Sequence, residues 1–275
     1  MKAPADMQFE GIPPLTRPNA VRRFIFSATS PWRNWRQRAH ARSVEQARQL
    51  PQAKFQHLMK TAEGIAEINP AGLHDLIRAI LRPLQSEHLL SIAELGRSAH
   101  TCVDWYSFFG PVVQRAIWSR TGEFLGKELP VDQQAVSLAS DTVLPWPWQH
   151  DRYITALAMI GQAKQLQTRP EEFPRARWMG PWRYDQLNHS VTLWLPWRIG
   201  FVGGGNHSIT AGILAGEGQL IPSEVYDMAF LFEDMYTDGV RYYCSKTDVP
   251  LGTVPSPRVA AVFEIGRMIH KLARK

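Results

Sequence analysis

GFVGGGNHSITAGI, residues 200–213, runs from an apolar strand-like segment through three glycines into the start of a helix. Strand, glycines and helix start together make a ready anion site. Glycine lets the backbone approach a phosphate, and the free N–H groups at the helix start point at it. Gly203, Gly204 and Gly205 would cradle the anion, and Asn206 and Ser208 would add neutral hydrogen bonds. His207 would carry a proton or donate to a phosphate oxygen. The same residues also suit a tight turn that needs glycine's dihedral freedom, with His207 merely packed.

Outward from this stretch, LNHSVTLWLPWRIGFV (187–202) reads as two strands joined near Pro196, and QLIPSEVYDM (219–228) starts as a further strand. Upstream, AVSLAS alternates as a strand does, and DRYITALAMIG reads as a short helix ending at Gly161. Residues 164–185 form a long loop rich in Arg, Pro and Trp. RVAAVFEIGRMIHKL (258–272) is an amphipathic helix. Residues 32–60 read as basic helix broken near Pro51, and residues 61–126 as helical throughout. Leu89, Leu90, Ile92, Ala93 and Leu95 form an apolar face there, with Ser86 as a cap and Pro111 in a first helical turn. The expectation is an α+β chain. It has a basic, partly helical N-terminal segment (1–60), a helical region (61–130) and a mixed α/β domain (131–275).

Composition narrows the function. The chain has 275 residues, 44% of them hydrophobic, enough for a sizeable core. Its apolar runs are short and broken by charge, so no membrane insertion is expected, and MKAPADMQFEGIPP lacks the apolar centre of a secretory signal. Cys102 and Cys244 fit no metal or redox spacing, which points to a cytoplasmic protein with reduced thiols. Residues 1–60 hold 11 Lys and Arg against 3 Asp and Glu, a balance of +8, while the remainder sums to −2. Arg22, Arg23, Arg33, Arg36, Arg38 and Arg42 therefore become candidates for binding nucleic acid or another polyanion; the plain alternative is a solvated basic helix. Ten tryptophans, several as Pro-Trp or Trp-x-Trp (Trp146-Pro147-Trp148), suit core packing at turns, or stacking on bases.

Familiar motifs fail. GEFLGKE (122–128) has the wrong spacing for a Walker loop and no Ser or Thr after Lys127. GGGNHS has Ser208 where a dinucleotide fingerprint needs glycine. No G-x-S-x-G, HExxH or CxxC pair is present. NHSVT (188–192) echoes NHSIT (206–210), which reads as coincidence or local duplication.

Two segments together resemble the ParB/sulfiredoxin superfamily. VSLASDTVLPWPWQHDRYITALAMIG (136–161) is similar to its strand, proline-containing loop ending in Arg, and short helix. Pro145, Pro147, Asp151 and Arg152 stand in the loop, and Leu157, Ile160 and Gly161 in the helix. WRIGFVGGGNHSITAGILAGEGQLIPSEVYD (197–227) is similar to its strand, glycine loop, helix and following strand. The resemblance covers some 90 to 100 residues and implies a nucleotide, ATP or CTP with Mg²⁺. Asn206 replaces the sulfiredoxin cysteine, which removes sulfinic acid reduction. Ser208 replaces the family arginine near the phosphates, so charge must come from Arg152, Arg198 or a loop arginine. No helix-turn-helix of partition-protein type is visible. The Osa-like plasmid fertility-inhibition branch resembles the chain more in being a standalone fold. It implies ATP and DNA cleavage and a type IV secretion component as partner. The expected function is thus a nucleotide-dependent phosphoester hydrolase, with His207 as acid/base, Asp151 for Mg²⁺ or water, and Arg152 for charge. The alternative is a non-catalytic, nucleotide-switched DNA- or protein-binding module. Glu217, Glu233 and Asp234 are reserve metal candidates.

Overall fold

The computed structural model describes residues 50–97, 103–164 and 179–274, and these belong to one compact unit. The six candidate arginines of the basic segment, Cys102 and most of the Trp-rich loop lie outside the described residues.

Helices come first. α1 (Pro51–Ile68) starts on Pro51, which occupies the first turn where its missing N–H costs nothing. α2 (Gly72–Leu95) is one 24-residue helix that runs through Pro83 and ends on Gly96 in the left-handed conformation. Ser86 is therefore an internal residue, not a cap: burial of Ile77, Ile80, Leu81, Leu89 and Ile92 along one face carries the helix past the proline. α3 (Pro111–Ala116) has Pro111 in its first turn, as expected. The region is not helical throughout, because 117–126 is irregular apart from a bridge between Trp118 and Phe124.

The central sheet has five strands, in the order Lys127–Glu128, Glu224–Asp227, Ser190–Leu195, Ile199–Gly204 and Thr142–Leu144. β4 (Ser190–Leu195) and β5 (Ile199–Gly204) form an antiparallel pair across a turn with a cis Leu195–Pro196 bond. β3 (Thr142–Leu144) lies parallel to β5, and β7 (Glu224–Asp227) parallel to β4. β1 (Lys127–Glu128) closes the far edge, so the sheet begins before residue 131. AVSLAS contributes only the two-residue β2 (Val136–Ser137), paired with β6 (Gln219–Leu220) outside the main sheet. The strand that joins the main sheet is the buried TVL that follows.

Both sheet faces are covered, and period-two alternation assigns the side chains. Val191, Leu193 and Val202 pack with Ile209, Ala211 and Ile213 of α5 (Asn206–Ala215) and with Ala156 of α4 (His150–Met159). Trp194, Ile199 and Phe201 face the other way, into a core with Phe55, Leu73 and Ile77 of the first two helices and Phe263 and Ile265 of α7 (Pro257–Ala273). The N-terminal helices thus share a core with the sheet, and an expected boundary at 60/61 falls inside α1. Between β7 and α7 lie the one-turn α6 (Leu231–Asp234) and an antiparallel sheet, β8 (Met235–Thr237), β9 (Arg241–Cys244) and β10 (Pro250–Thr253), that the sequence reading passed over.

Candidate functional site

β3 and β5 are parallel neighbours, each followed by a loop and then a helix. Their carboxyl ends lie side by side, Leu144 beside Phe201. The loop Pro145–Gln149 and the glycine run that ends β5 and leads into α5 therefore lie at the same edge of the sheet, and α4 and α5 fall on the same face. In open α/β sheets this is where ligands bind. A cleft of about 780 Å³ opens there, lined by Trp148, Asp151, Arg152, Gly203–Ser208 and Asn188 among others. Sequence-separated candidates His207, Asp151, Arg152, Gly203, Gly204, Gly205, Asn206 and Ser208 are thus brought together. Asp151 and Arg152 sit in the first turn of α4, not in the loop before it. Gly203 and Gly204 complete strand β5.

Gly205 is the residue before α5, with φ of 72° and no side-chain cap on the helix. The first-turn N–H groups of α5 have no acceptor within the helix, the situation that suits an anion. The glycines also have a packing reason. A Cβ on Gly204 would come to 2.7 Å from the carbonyl oxygen of Asn188, and one on Gly205 would overlap the His189 ring. The anion-cradle and tight-turn readings coexist in one backbone.

Asn206 and His207 clamp the proline loop. Asn206 Oδ1 accepts from the Trp146 N–H at 2.6 Å, which leaves its NH₂ as a donor. His207 Nε2 accepts from the Gln149 N–H at 3.2 Å. A neutral imidazole carries one proton, so the proton of His207 is on Nδ1. Burial lowers its pKa, and the neighbouring Arg152 charge lowers it further. At neutral pH His207 is a neutral donor whose lone pair is already engaged. It is poorly placed to take a proton from water.

Ser208 is committed as well. His189 Nδ1 accepts from the Asp185 N–H at 3.0 Å, so Nε2 holds the proton and donates to Ser208 Oγ at 2.7 Å. The Ser208 hydroxyl in turn donates to Gly205 O at 3.0 Å. Its hydrogen is spent, so the expected hydrogen bond from Ser208 to a phosphate oxygen is not available in this arrangement. The same tautomer prevents His189 from activating Ser208 as a nucleophile. His189 is buried and stacked on Trp182 (centroids 4.8 Å apart), and burial lowers its pKa against the opposing pull of Asp185. Sequence reasoning missed Asn188 and His189. The signal was the NHSVT/NHSIT echo: the two copies meet in space.

The other cations and acids sort by their partners. Arg198 is held by Asp141 (3.0 and 3.1 Å) and by the Ala135 carbonyl, so it supports the β3 approach and does not line the cleft. Glu217 accepts from the backbone N–H groups of Trp182 and Gln162 and is structural. Glu233 and Asp234 lie in α6, outside the cleft lining. Arg152 is exposed in the cleft with its guanidinium 5.7 Å from the centre of the Trp148 ring. Among the described residues, no three His, Cys, Asp or Glu side chains converge as a metal site. Asp151 is, among the described residues, the one carboxylate lining the cleft. Mg²⁺ fits only as an ion carried largely by ligand phosphates, with Asp151 beside it. No helix among the described residues is long and apolar enough to cross a membrane.

Fold and cleft define an α+β protein with a glycine-lined cleft at the carboxyl ends of two parallel strands. The chain belongs to the family described as "Family of unknown function (DUF6710)", whose model matches residues 37–275. No curated protein and no solved structure matches it.

Proposed function

We propose that the cleft is a nucleotide-binding site of ParB/sulfiredoxin type, and that it serves a binding module rather than a hydrolase. One observation carries the reading. Two strand–loop–helix units, about 60 residues apart in sequence, put an uncapped helix start and the exposed guanidinium of Arg152 into one cleft. Phosphates would take the α5 N–H groups, the Asn206 NH₂ and the His207 Nδ1–H, with Arg152 supplying charge. Mg²⁺ would travel with the phosphates. Binding is favoured over turnover because the lone pair of His207 is engaged and, among the described residues, a single carboxylate lines the cleft.

The test is calorimetric titration with ATP, CTP and GTP in Mg²⁺, with phosphate release followed in parallel. Wild type should bind at least one nucleotide with no release above background. Arg152→Ala should weaken binding by roughly tenfold, the loss of a charge-assisted contact. Binding with turnover that His207→Ala abolishes would restore the hydrolase reading. Absence of binding to all three would overturn the nucleotide site. The basic segment, with Arg22, Arg23, Arg33, Arg36, Arg38 and Arg42, is the part we assign to DNA or another polyanion. Deleting the part of the basic segment before the first described helix at Pro51 removes all six arginines and should flatten the salt dependence of DNA binding. An Osa-like action on a type IV secretion component belongs to the same reading.

A further inference from the structure

Of the seven described tryptophans, Trp182, Trp194 and Trp197 are buried, Trp105 and Trp146 are half-buried, and Trp118 and Trp148 are exposed. Trp194 is fully buried, and Trp197 and Trp182 are 1% and 8% exposed. Trp148 is 47% exposed, and it lines the same cleft as the glycines and the α5 start. Core packing, which accounts for the buried tryptophans, does not account for this one.

Its placement is rigid. The backbone is pinned two residues before the ring, where the Trp146 N–H meets Asn206, and one residue after, where the Gln149 N–H meets His207. The indole meets the His207 ring edge-on, with centroids 5.7 Å apart and planes at 68°. Arg152 lies over the ring at 5.7 Å, near the outer limit of a cation–π contact, so it holds the ring loosely. The two residues that fix Trp148 are thus the residues that would hold the phosphates. A flat, half-exposed ring, held in place before any ligand arrives, is a stacking surface with little ordering cost.

We infer that Trp148 is the stacking platform for the base and sets ligand choice by π-surface. Purine nucleotides bind tighter than pyrimidine nucleotides, and both bind tighter than a phosphate chain with no base. This rests on the nucleotide reading above and adds what that reading leaves open, the ligand class. Arg152 leaves the indole for the phosphates as the base takes its place on the ring.

The experiment compares ATP, CTP and inorganic tripolyphosphate on the full chain by calorimetry, in wild type, Trp148→Leu and Trp148→Phe. Thermal melts establish that each variant is folded; the half-exposed position makes that the expected result. Wild type should favour ATP over tripolyphosphate by on the order of tenfold, with CTP between them. Trp148→Leu should bring ATP down to the level of tripolyphosphate and leave tripolyphosphate unchanged. Trp148→Phe should recover most of the loss. Equal binding of ATP and tripolyphosphate by wild type, untouched by Trp148→Leu, would overturn the platform and keep the phosphate site. CTP binding well above ATP would also overturn it, since it demands readout of the base edge. No binding of any of the three would remove the site and the platform together. A 5′-phosphorylated oligonucleotide in the same series separates a free nucleotide from a strand end as the source of the base.

Discussion

Gly205 meets two demands at once: a left-handed backbone at the start of α5, and contact with the His189 ring where a Cβ would sit. Gly205→Ala should lower stability by about 2–3 kcal/mol, read as a shift in urea midpoint. Gly203→Ala is the control. Its Cβ would meet Ser190 Oγ at 3.4 Å, an ordinary contact, and φ there is not positive, so stability should stay near wild type. His189 gives a pH signature. Its folded pKa lies below the ordinary 6.5, so the unfolded chain binds the proton more readily. The stability from its neutral form is fully present above pH 6.5 and is lost as pH falls from there through the folded value. Urea melts at pH 7.5, 6.5 and 5.5 should show that decline, and His189→Gln should reduce it. His207 has the same sign and leaves a residual slope.

α7 depends on two sequence details. Ser256 caps it, its side chain accepting from the Val259 N–H at 3.2 Å, and Ser256→Ala should cost about 1 kcal/mol in a thermal or urea melt. Gly266 lets the helix lie directly on Trp197, whose indole N–H donates to Val262 O at 2.9 Å. A Cβ at Gly266 would overlap the indole ring. Gly266→Ala should therefore be among the more damaging single-methyl additions in the chain, about 3 kcal/mol, with reduced near-ultraviolet circular dichroism from displaced aromatics. Arg267, the next residue, ties α7 to the 232–235 segment by donating to the Phe232 and Met235 carbonyls, pairs with Glu264 within the helix, and lies over the Phe232 and Phe263 rings. α7 is thus fastened at its start, its middle and its packed face.

At the scale of the molecule, one aromatic core links distant parts of the chain. Phe109 touches Trp194, Trp197 and Phe263, and its carbonyl accepts from the buried Tyr242 hydroxyl at 3.0 Å. Phe55, Leu73 and Ile77 complete that core from the N-terminal side. A fragment of residues 131–275 would expose this face and should not fold alone, whereas residues 50–275 should unfold in one cooperative transition. Circular dichroism of the two fragments checks this; a cooperative melt of the shorter one would show that the helices are dispensable.

Local pattern alone determined much of this protein. The segments on either side of Pro196 read as β4 and β5, Pro111 marked a helix start, and the glycine run marked the strand-to-helix junction, because each depends on residues that are neighbours in the chain. The same locality explains the errors. A single 24-residue helix through Pro83 is held by burial of one face, which no nearby residue announces. TVL outranks AVSLAS as the sheet strand because β5 is free to pair with it. Only the tertiary structure decided what the site residues can do. Hydrogen bonds from Trp146, Gln149 and Asp185, all distant or unremarkable in sequence, fix one amide and two imidazoles. They turn His207 from a candidate base into a donor, engage the Ser208 hydroxyl, and leave Arg152 and Trp148 facing the cleft. Hydrogen-bond direction and tautomer follow from which groups meet in space, and a linear sequence does not contain that meeting.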